Sequence, residues 1–145
     1  MPGCLLRLAP VAYAASLLFW LSLEESSALV PALLGWCGAA LMVWRGWQAK
    51  PRPMERLHPA LWAALLGLGA GVSAALIAAA LMFFKTAWHN HPYPDYPPLM
   101  MLAMLQRLPV WALAGGLLGL AGHWLRLALQ PSSGGAAKTP SAPRA

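Results

Sequence analysis

Four apolar runs, each long enough to cross a bilayer, leave this chain few ways to fold. They cover Cys4–Leu23, Ala28–Trp47, Pro59–Phe84 and Pro109–Leu129. A hydrocarbon core about 30 Å thick needs roughly 20 apolar residues of helix. None of the runs alternates apolar and polar residues as a barrel strand does. Lipid gives backbone groups no partners, so such runs must satisfy their own N–H and C=O groups as helices. Composition points the same way. Apolar residues make up 59% of the 145 and charged residues 10%, against about 45–50% and 25% in a soluble domain. So few charges cannot cover the surface of a small globule, and so much apolar surface excludes general disorder.

The expected fold is therefore an all-α integral membrane protein. Four transmembrane helices occupy 1–129, with a proline-rich outer loop and a short interfacial helix before the last span. Residues 130–145 are rich in Pro, Ser, Gly and Ala. They are expected to form a disordered cytoplasmic tail.

The net charge of +6 is not a nucleic-acid signal, because the bases sit at the ends of apolar runs and form no stripe. Their distribution instead gives an orientation. Arg45 precedes the second connection, which carries Lys50, Arg52 and Arg56, and the C-terminal side carries Arg126, Lys138 and Arg144. The first connection carries Glu24 and Glu25. Lys/Arg excess marks the cytoplasmic side, so both termini are expected there. The composition suits a bacterial inner membrane or an equivalent one. Most aromatics fall near the ends of the runs, where amphipathic rings anchor at the headgroups. Tyr13 and Trp36 fall nearer the middle and are expected to pack between helices. Cys4 and Cys37 form no CxxC pair and are expected to act as small buried apolar groups.

Small residues recur at four-residue spacing. Gly35 and Ala39 do so in the second run, Gly67, Gly71 and Ala75 in the third, and Gly115 and Gly119 in the fourth. Such stripes let backbones approach closely where lipid supplies no hydrophobic drive. The third and fourth runs are expected to meet through them.

The stretch from Lys85 to Pro98 is the most unusual. Four prolines in seven residues, from Pro92 to Pro98, forbid a regular helix. His89 and His91 can face one cation in an extended loop, and Asp95 can add an oxygen, a set that suits a transition metal. The plainer reading is a loop folded over the outer mouth, its histidines bonded to helix ends. Lys85 and Asp95 can pair across the loop neck, and Lys85 can equally snorkel to the interface. His123 is the polar residue within a span that asks for a role; a hydrogen bond between helices or to headgroups is the plain one.

No acidic residue lies deep in a run, where a proton-coupled pump needs one. GxSxG, HExxH, Walker A and CxxCH motifs are absent. The expected function is non-enzymatic: an accessory or assembly subunit of a larger membrane complex, embedded in the lipid bilayer beside a membrane-protein partner or its own copy. The alternative is a small transporter or metal-handling protein using the His89/His91/Asp95 loop. No motif calls for a cofactor, and a transition metal is the one that loop would accommodate.

Overall fold

A computed structural model describes residues 2–23, 26–48, 58–89 and 94–130. The described residues are helical and contain no strand. The helices are α1 (Pro2–Leu21), α2 (Leu29–Gln48), α3 (Pro59–His89), α4 (Pro98–Gln106) and α5 (Leu108–Ala128). The C-terminal tail from 131 and the second connection lie outside the described residues.

Local chemistry sets the helix starts. The Ser27 hydroxyl accepts a hydrogen bond from the Leu29 N–H at 3.3 Å, capping α2. His58 does the same for α3, its Nδ1 accepting from the Ala60 N–H at 3.3 Å. Pro59 then takes the first helical position, where its missing N–H is harmless. Pro97 has φ −58° and ψ 145°, the extended conformation a residue before proline prefers, and Pro98 opens α4.

Among the described residues, two helices, α3 and α5, are long and apolar enough to cross a membrane, and α1 and α2 carry the shorter apolar stretches Leu8–Leu21 and Leu29–Arg45. The largest departure from the expected boundaries is at the end of α3; the others shift by at most two residues. The third helix was expected to stop at Phe84 and runs on to His89. Lys85–His89 contains neither proline nor glycine, so nothing breaks the helix before the proline cluster.

The spine of the fold is α3. It packs most extensively on α5 and next on α2, while α1 lies outside α2 and touches it sparingly. Tyr13 of α1 reaches α2 through a 3.0 Å hydrogen bond from its hydroxyl to the Leu34 carbonyl. Trp36 of α2 stacks on Trp111 of α5 at 5.6 Å between centroids. Both mid-helix aromatics thus pack between helices. Trp111, expected as a boundary anchor, joins them. Cys37 departs from expectation: it is exposed, because Pro31, Leu34, Gly35, Gly38 and Ala39 take the buried face of α2.

The register of α3 against its antiparallel neighbour is regular. Position 63 meets 119, 67 meets 115 and 71 meets 111. Beyond α5, position 86 meets 96. Every pair adds to 182, so the loop before α4 meets α3 in the register that α5 sets. The break at Arg107 leaves that residue at φ −81° and ψ −4°, close to helical. Pro109 causes the break, since it cannot donate to the preceding turn. Thus α4 is a separate short helix, and it lies against α3 with Met104 in the same buried cluster as Ala78, Ala79 and Met82.

Candidate functional site

A group of polar residues converges where the proline loop returns to α3. Lys85, Thr86 and His89 occupy the last turns of α3, and a spacing of four places Lys85 and His89 on one face. Trp20 comes from the end of α1, Ser27 from the approach to α2, and Asp95 and Tyr96 from the loop.

Tyr96 ties these elements together and is completely buried. Its backbone N–H donates to Thr86 Oγ1 at 3.2 Å. Its hydroxyl donates to the Ser27 carbonyl, also at 3.2 Å. Beside it, His89 Nδ1 lies 2.5 Å from Asp95 Oδ2, so an imidazole–carboxylate bond closes the loop onto the helix. Both partners are largely shielded, at 20% and 12% side-chain exposure.

Lys85 is also completely buried. Its Nζ sits 4.6 Å from the centroid of the Trp20 ring and 6.0 Å from that of Tyr96. The two rings are 6.4 Å apart and tilted by 36°. An ammonium over an aromatic face within about 6 Å gains roughly 2 kcal/mol or more when desolvated. The Trp20 ring serves this contact through its face, and its buried Nε1 has no hydrogen-bond partner. The result is a cap that fastens the ends of α1, α2 and α3 and the proline loop to one lysine and one tyrosine.

The expected site residues are distributed as follows. His89 and Asp95 come together, with the carboxylate on the imidazole. Lys85 joins the cap over Trp20. His91 lies outside the described residues. Among the described residues, no three His, Cys, Asp or Glu side chains gather around one point. His123 sits apart in α5, edge-on to Trp124 at 6.1 Å and 72°.

The small-residue stripes do meet. A Cβ at Gly71 would fall on the Trp111 carbonyl, one at Gly67 on the Gly115 carbonyl, and one at Gly119 on the Ala63 carbonyl. A Cβ at Gly115 would strike Gly67 in return. Gly35 faces the Ala74 carbonyl and Ala78 in the same manner, and Ala39 and Ala75 are completely buried. By contrast, Gly69 and Gly122 face open space.

Trp20, Ser27, Thr86 and Tyr96 were not singled out by sequence as one site. The available signal was a lysine directly after an apolar, aromatic run, followed by a Tyr held between prolines. Gly38 was missed as well; a Cβ there would come within 2.6 Å of the Tyr13 hydroxyl. No protein-family model matches the chain, and no curated protein or solved structure shows significant similarity to it.

Proposed function

We propose that this chain is a four-span membrane protein that catalyses no reaction and serves as an accessory or assembly subunit of a larger membrane complex. The observation that carries the reading is the bareness of α5. That helix is bound to α3 along a line of glycines, and Gly115 is its one buried residue. Val110, Leu113, Leu117, Leu118, Trp124 and Leu125 all face outward. A continuous apolar surface of this kind marks a membrane or a protein partner.

Helix lengths support four spans. At 1.5 Å per residue, α1 and α2, with 20 residues each, reach about 30 Å, the thickness of the hydrocarbon core. With 31 residues, α3 reaches about 46 Å and spans with tilt or protrusion. The placement of Lys and Arg favours the cap on the outer side, with both termini in the cytoplasm of a bacterium or an equivalent compartment. A reporter fused after Ala145 that reads as external would overturn the orientation.

The test of function is purification from native membranes in mild detergent, with mass spectrometry of whatever co-migrates. A membrane protein at stoichiometric level is expected. A lone chain would refute the accessory role.

One observation favours the metal-handling alternative. A carboxylate bonded to one ring nitrogen is the arrangement that orients a metal-ligating histidine, and Asp95 holds His89 in that way. Metal content and metal tolerance that stay unchanged in the His89→Ala/His91→Ala double variant would remove it.

A further inference from the structure

We draw no further inference here: the strongest candidate, the apolar groove of about 310 Å³ that Trp36, Ala40, Val43 and Trp44 of α2 form with Ala70 of α3, opens on the flank of the fold, and nothing in the structure shows what covers it.

Discussion

Replacing Gly71 by alanine adds one methyl group at the tightest point between α3 and α5. The added Cβ meets the backbone carbonyl of Trp111, with the Ala112 nitrogen 3.0 Å away. Backbone cannot rotate aside as a side-chain tip can, so α5 has to withdraw. Withdrawal loosens the neighbouring contacts, because Gly67–Gly115 and Ala63–Gly119 share the same register. A radial gap of 0.5–1 Å forfeits a quarter to a half of each dispersion contact, each worth about 0.1–0.2 kcal/mol. Over the roughly 40–60 atom pairs that one buried leucine makes, the middle of these ranges comes to about 2–3 kcal/mol. Alanine's better helix propensity returns about 0.5–1 kcal/mol. The net loss expected for Gly71→Ala is therefore about 1–2.5 kcal/mol, within the range of overpacking in general. Gly69→Ala is the matched control. It lies two residues away on the same helix, faces open space and gains only the propensity term. Unfolding in mixed micelles, with the denaturing detergent fraction as the variable and tryptophan fluorescence as the signal, compares the two. The variants should differ by about 2–3 kcal/mol, or roughly 30- to 140-fold in the equilibrium constant. If Gly71→Ala unfolds at the same midpoint as Gly69→Ala, the close approach of α3 and α5 is not what holds them together.

Tyr96→Phe keeps the ring and removes the bond to Ser27, at a cost of about 1 kcal/mol. The Met100 and Met101 amides, which bond to the Pro97 carbonyl, should then exchange hydrogen about fivefold faster; unchanged exchange would show that the cap does not order the loop. Trp20→Ala empties a buried site under Lys85 and should cost about 3–5 kcal/mol, whereas Trp88→Ala, at 68% exposure, should stay within about 0.5 kcal/mol. Equal losses at the two positions would remove the special status of the cap. With Cys4 replaced by serine, Cys37 is the single thiol and is exposed on the surface of the fold. In sealed vesicles it should resist a charged maleimide and react once the protein is unfolded in detergent. Prompt labelling in intact vesicles would place α2 in water and overturn the four-span reading.

What could be read from the sequence follows from the range of the forces involved. Helix positions were legible because an apolar run of about 20 residues has one stable conformation in lipid, and capping chemistry is local. Pro59 and Ser27 mark starts within two residues of where they act. The contact between α3 and α5 was legible because Gly67, Gly71, Gly115 and Gly119 repeat with the period of the helix itself. The cap was not. Tyr96 meets Ser27 across 69 positions, and such a contact leaves no periodic trace. Trp20, at the end of an apolar run, is indistinguishable by pattern from an anchor at the headgroups. Lys85 reads as a snorkelling side chain because burial of a lysine depends on which rings arrive from elsewhere. Cys37 failed for the same reason: apolar character alone does not say which face of α2 the neighbouring helices take.

The register shows why the proline loop and the glycine stripe have to agree. Sliding α5 by one residue turns it by about 100° and brings a neighbouring stripe onto α3. The stripe one residue earlier carries Val110, Ala114 and Leu118; the one later carries Ala112, Gly116 and Leu120. Either presents a leucine where Gly119 now meets the Ala63 backbone, so the glycines admit one register. At the other end, Tyr96 can reach both Thr86 and Ser27 only if the loop returns at the matching height. Arg107 and Pro109 lie between the two constraints, at the place where the helix is already interrupted. A small misfit between cap and stripe can be absorbed there without breaking either. Two distant groups of residues therefore specify the same alignment, the kind of agreement that separates one native packing from its near neighbours. It also fixes which side of α5 is spent on its own chain. The glycine line faces α3, and Leu113, Leu117, Leu118 and Leu125 are left exposed. If the proposed accessory role holds, substitutions among those leucines should reduce co-purification of a partner before they lower the unfolding midpoint in detergent.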